Sequence, residues 1–199
     1  MKGCLIAAAV ALLVLLAAGG CGVGTYNGIV SQEEGITAAW GEIHNQYQRR
    51  FELVPNLVAT VQGAADFEKS TLTELTEARA SVGKVALPKE LPEDPAQLQA
   101  FFQAQERLSG ALSRLLVVAE NYPALTATSG FQDLQVQLEG SENRIAVARR
   151  DYIEAVRAYN VAIRRFPGSL VAGLFSKEPH AQLETPAGST EVPKVEFGK

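Results

Sequence analysis

Between Tyr26 and Phe67 two lines of apolar side chains recur every seven residues, one through Ile36, Ile43 and Leu57, the other through Trp40, Tyr47, Val54 and Val61. Only a helix brings such positions onto one seam. The spacing predicts a helix of about 40 residues, about 60 Å long at 1.5 Å per residue. Two residues strain it. Arg50 stands where the first line should be apolar, and Pro55 removes a helix donor and crowds the carbonyl of Phe51. Because the period resumes at Leu57, Val58 and Val61, a kink rather than an end is expected at Pro55. A charge on a buried seam must be paired or reach water. Counting helical rise from the turns puts Glu106, Glu142 and Asp151 near the level of Arg50, and Glu142 is the expected partner in a buried ion pair.

The N-terminus has a different character. Lys2 is the only charge before Glu33, and Leu5 to Ala18 is an almost unbroken apolar run. Its length suits a signal-peptide core, and extended through Val23 it can span a bilayer. Ala18-Gly19-Gly20-Cys21 looks like a bacterial lipobox, with Ala18 where leucine is usual, so Cys21 is the candidate for lipidation. The other reading is an uncleaved single-pass anchor. The next basic residue after Lys2 is Arg49, so the positive-inside tendency places the bulk of the chain outside the cytoplasm. Residues 1–20 are therefore a signal peptide or membrane anchor. Cys4 lies within that leader, leaving no cysteine pair for a disulfide or a metal.

Three further helices follow. Leu72, Leu75, Ala78, Val82 and Val85 trace the second, after a turn near Asp66 to Ser70. The third starts after the proline-rich loop at residues 87–95, with Asp94 and Pro95 as cap and first-turn residue. Its stripe runs from Leu98, Phe101 and Phe102 to Leu115, Leu116 and Ala119, and it ends at Tyr122-Pro123. Leu125 to Gly130 reads as a connector. The fourth stripe holds helical spacing from Leu134 through Ser141, Ile145, Tyr152 and Tyr159 to Phe166. The expected fold is all-α, an antiparallel bundle of four long helices at residues 21–167, followed by a C-terminal segment and tail at residues 168–199.

Tyr26-Asn27, Ala39-Trp40, Arg49-Arg50, Pro55 to Val58, Glu77 to Ala80, Glu120 to Leu125, Phe131 with Leu134 and Glu142, Ala148-Arg149, Tyr159-Asn160 and Phe166-Pro167 together resemble the LemA family of bacterial membrane-associated proteins. The order and spacing match along residues 26 to 175, and Pro193, Val195 and Phe197 look like that family's ending. The resemblance implies an N-terminal anchor, a long-helix bundle and no established molecular function. The family typically looks anchored by a transmembrane helix, often with its domain assigned to the cytoplasm; Lys2 and Cys21 here favour a lipid-anchored domain outside it.

Known chemistry has little to hold on to. A net charge of −4 and a pI near 5.3 argue against nucleic acid. Neither His44 nor His180 has a glutamate three residues before it, as a carboxylate-bridged metal site in a bundle needs. No nucleophile elbow, phosphate loop or dinucleotide fingerprint occurs, and no cofactor or enzymatic activity is expected. Tyr26-Asn27 and Tyr159-Asn160 can be read as binding residues, but tyrosine on a seam is more often core. Arg149-Arg150 and Arg164-Arg165 read as a solvated face that can meet anionic lipid. Two classes of function remain: a membrane-tethered interaction or scaffold module with a protein partner, and an enzyme or ligand-binding bundle with an unrecognised site. For the first, Ile29, Ile36 and Trp40 form a candidate docking stripe, unless Leu170 to Phe175 folds back to cover it.

Overall fold

The computed structural model describes residues 2–64, 67–85, 91, 92 and 94–181, without the side chains of residues 2, 4, 5, 7 and 8. Among them there are six helices and no strand: α1 (Lys2–Gln62), α2 (Lys69–Lys84), α3 (Pro95–Ala119), α4 (Pro123–Thr126), α5 (Ser129–Arg164) and α6 (Gly168–Leu174). Two compact units are present, Met1–Ile29 together with Val156–Lys199, and Val30–Ala155. The expected tail features Pro193, Val195 and Phe197, the turn residue Asp66 and most of the proline-rich loop lie outside the described residues.

In the unit Val30–Ala155 the seam seen in the sequence is the core. Ile36, Trp40, Ile43, Tyr47, Val54, Leu57 and Val61 are all buried. Pro55 sits inside α1 without ending it. Trp40 faces Tyr152, Gln46 accepts from Arg144, and Arg50 meets Glu142, so α1 and α5 run antiparallel. Going up α1, Trp40 lies against Phe101 while Arg50 reaches Gln105 and Ser109, so α3 runs in the direction of α1. Asp94 accepts a hydrogen bond from the Ala96 amide at 2.8 Å, and Pro95 opens α3 as expected.

The core has two halves of different composition. Trp40, Tyr47, Phe101, Phe102 and Tyr152 form an aromatic group with ring centroids 5.2–6.3 Å apart, mostly edge-to-face. Beyond Arg50 the filling is mainly aliphatic, with Val54, Leu57, Leu75, Leu108, Leu115 and Leu138 among its members beside Phe67 and Phe131. Thr71, Leu75, Ala78 and Val82 are the buried face of α2.

Four expectations are corrected. The first helix begins at Lys2, not near Tyr26, since glycine costs a helix only about 1 kcal/mol each and Gly19, Gly20, Gly22 and Gly24 do not stop it. α3 ends at Ala119, because the following proline starts a new turn rather than closing the old one. The supposed connector holds that turn as α4, and α5 starts at Ser129. Phe166 is not on the buried stripe: α5 stops at Arg164, and the ring is 80% exposed.

In the unit Met1–Ile29 with Val156–Lys199, Tyr159 and Ile163 are buried on α5, and the Phe175 ring, just past α6, packs on Tyr26 at 4.4 Å between centroids. Gly168 makes the turn into α6 possible, since a Cβ there would stand 2.0 Å from the Ala162 carbonyl oxygen.

Candidate functional site

The most heavily engaged polar side chain in the core is Arg50, 1% exposed. Its Nη1 donates to Glu142 Oε1 at 2.5 Å and to Ser109 Oγ. Its Nη2 donates to the Gln105 side-chain oxygen at 2.6 Å and to the Gln105 carbonyl at 3.1 Å. Ser109 Oγ also lies 3.3 Å from Glu142 Oε1, so the carboxylate gathers the serine and the guanidinium. The guanidinium carbon stands 5.0 Å from the Tyr47 ring centroid. The structure thus brings Arg50 and Glu142 together, with a difference from the expected buried pair: the Glu142 side chain is 45% exposed. Charge enters the core at one end and meets water at the other. Of the other acids weighed, Glu106 is exposed and Asp151 pairs with its neighbour Arg150 at 3.3 Å.

Satisfaction is incomplete. Arg50 Nε, Gln105 Nε2 and Ser141 Oγ are buried without a hydrogen-bond partner among the described residues. Burial also raises the Tyr47 hydroxyl above its ordinary pKa against the pull of Arg149 and Arg50, and pushes Tyr152 up to about 12. The guanidinium of Arg149 covers the Phe102 face at 5.0 Å.

The docking stripe is not open. Ile29, Ile36 and Trp40 are 2%, 0% and 1% exposed, so they are core. The reason for Trp40 is plain: the first turns of α3 supply Phe101 and Phe102, and α5 supplies Tyr152, where sequence counting left a missing neighbour.

Cys21 is exposed and free on α1, and its carbonyl accepts from Thr25 Oγ1 at 2.8 Å. The side chains around it on α1 are also open, with Leu12 to Leu16 and Val23 58–68% exposed. This is the one described stretch long and apolar enough to cross a membrane.

Tyr159-Asn160 does bind something, namely the chain itself. The Asn160 amide takes both backbone groups of His180, donating to its carbonyl at 2.9 Å and accepting from its N–H at 3.0 Å. Tyr159 donates to the Glu178 carbonyl at 3.2 Å, and its ring lies 5.0 Å from the His180 imidazole. His180 is therefore a strap residue, and His44 is half-buried on α1. Among the described residues no group of three His, Cys, Asp or Glu side chains is placed to hold a metal.

Two clefts flank the Phe67–Tyr122 ring pair, whose centroids are 4.9 Å apart. One, of about 690 Å³, is bounded by Thr60, Ala64, Asn121, Tyr122, Ala124 and Thr128; the other, of about 700 Å³, by Gln62, Phe67, Leu72, Thr73 and Thr76. Sequence reading missed both, together with Gln105 and Ser109. Gln105 carried a signal, for it interrupts the apolar line Leu98, Phe101, Leu108, Leu112 as Arg50 interrupts its own.

Comparison with known proteins gives a consistent answer. The sequence model of the LemA family matches residues 39–197. Two proteins of Paramagnetospirillum magneticum, named magnetosome protein MamQ 1 and magnetosome protein MamQ 2, are each 28% identical over 185 residues, covering 84% of this chain and 68% of theirs. Magnetosome protein MamQ of Magnetospirillum gryphiswaldense is 27% identical over 184 residues, with the same coverage.

Proposed function

The chain belongs to the LemA family, and from that premise we propose that it is a membrane-anchored helical scaffold that presents a bundle to a protein partner. One observation carries this reading: α1 is a single helix whose residues 9–23 expose apolar side chains and no charge, while residues further along the same helix fill a core. Apolar faces of that size on water cost free energy in proportion to their area, so a bilayer is their natural surrounding. The relatives are named for a cellular body and for no reaction, which favours scaffold over enzyme.

Attachment has two forms that differ in chemistry. Either Cys21 is acylated after removal of residues 1–20, or residues up to Val23 remain as a span. Lys2 ahead of the apolar run favours a bundle outside the cytoplasm. Labelled palmitate should enter the wild type and not Cys21→Ser if the lipoprotein form holds; equal labelling and equal size of the two would establish the span.

For the partner, the clefts beside Tyr122 replace the lost stripe, since about 690 Å³ bounded by apolar side chains, an amide and hydroxyls suits a side chain or small ligand. A photo-crosslinking residue at Ala124, on the cleft, should yield discrete adducts in cells. The same residue at exposed Arg107 should not. Equal patterns from both positions would remove the cleft from consideration.

A further inference from the structure

We propose that α6 is a second membrane contact, a short helix bedded in the lipid interface beside the N-terminal anchor; this rests on the reading of the N-terminal run as membrane-embedded. The helix is two-sided. Gly168 and Ala172, four residues apart, face inward and are buried. Leu170 and Leu174, on the opposite side, are 67% and 78% exposed, and Phe166 and Phe175 at its two ends are 80% and 50% exposed. No charged side chain interrupts this outer face, since Ser169 and Gly173 are the other exposed positions of the helix. Large apolar residues exposed singly are ordinary; four on one seven-residue helix and its flanks are a surface awaiting a cover.

Position decides what the cover is. The Phe175 ring lies on Tyr26 at 4.4 Å, and Tyr26 is three residues past Val23, the last residue of the extended apolar run. On a helix that separation is only about 4.5 Å along the axis. The run from Leu5 to Val23 is about 28 Å long, close to the hydrocarbon thickness of a bilayer, so its end falls at the headgroup boundary. The outer face of α6 therefore stands at the depth where aromatic rings and amphipathic helices settle. Arg164 and Arg165 are exposed just before α6, as expected for side chains that reach anionic headgroups, while exposed Glu178 is the one acid that follows it before His180. The helix is also held in place rather than hanging free: Gly168 is pressed against the Ala162 carbonyl at one end, and Tyr159 and Asn160 hold residues 178 and 180 at the other.

The test places a tryptophan at position 170 in the full-length chain, reconstituted in vesicles of equal parts phosphatidylcholine and phosphatidylglycerol. Trp40 is buried and supplies a constant background, measured in the wild type. Lipids brominated high on the acyl chain should quench most of the emission added by Leu170→Trp, and aqueous acrylamide should quench little of it. Quenching by acrylamide alone would put α6 in water, and quenching by neither would show that protein covers it, whether residues 182–199 or a second copy. Either result overturns the proposal. Val14→Trp, read the same way with deeply brominated lipid, keeps the two readings apart: quenching at 14 but not at 170 retains the anchor and sinks the α6 contact. In Phe166→Ser with Leu170→Ser and Leu174→Ser, unfolding in detergent should be unchanged, because these side chains are already exposed; marked destabilisation would count against the interface and for a protein cover.

Discussion

The Arg50 guanidinium, almost completely buried, meets its counter-charge in Glu142, whose carboxylate is nearly half exposed. The asymmetry has an energetic sign. Removing the acid strands a buried cation, whereas removing the base frees an acid that water can hold. Glu142→Ala should lower stability by about 2 kcal/mol, less than the 3–5 kcal/mol of a fully buried pair because solvent reaches the site. Arg50→Met combined with Gln105→Leu should cost under about 1 kcal/mol, since the second change removes the amide that the first would orphan. Denaturant unfolding of both variants checks this; an equal loss in the two would refute the asymmetry.

Alkaline stability should report Tyr152. Its folded pKa is raised to about 12 from 10.0, so between those values the unfolded chain loses the proton first. The stabilisation is complete below pH 10 and fades as pH rises toward 12. The burial-raised Tyr47 acts in the same direction. Tyr152→Phe should flatten the decline of unfolding free energy across that window. An unchanged slope would mean that Tyr152 ionises there without cost.

The Asn160 amide makes both of its hydrogen bonds to His180. In Asn160→Ala the His180 amide should exchange with deuterium at least about tenfold faster, as expected for the loss of bonds each worth about 1 kcal/mol, while total helicity stays the same. Unaltered exchange would show that Tyr159 alone holds the strap.

Two glycines near α6 should respond oppositely to alanine. Gly168→Ala drives a Cβ to 2.0 Å from a backbone oxygen and should cost about 1–3 kcal/mol. Gly173, inside α6 with nothing within 4 Å of a new Cβ, should gain up to about 1 kcal/mol. Thermal unfolding of the two variants is the measurement.

Much of this fold was legible because its pattern is periodic. The seam from Ile36 to Val61, the Asp94-Pro95 start of α3 and the choice of Glu142 over Glu106 all follow from helical geometry applied to residue types. What escaped depends on where helices stop and what lies across from them. Nothing local in Phe166 says that α5 ends two residues earlier, and nothing in Trp40 says that Phe101 and Phe102 close over it. Tyr159-Asn160 drew notice as a pair, but its ligand is a strap about twenty residues downstream without any period of its own.

The polar layer at Arg50 also bears on structures the chain does not adopt. If α5 slid along α1 by one turn, the position of Glu142 would pass to Leu138 or Ala146, and the guanidinium would be buried opposite a hydrocarbon. The aliphatic stripes alone would tolerate such a slip, because one leucine serves much as another. A single arginine thus biases the register of α5 against α1, and it does so less by rewarding the correct alignment than by penalising each misaligned one.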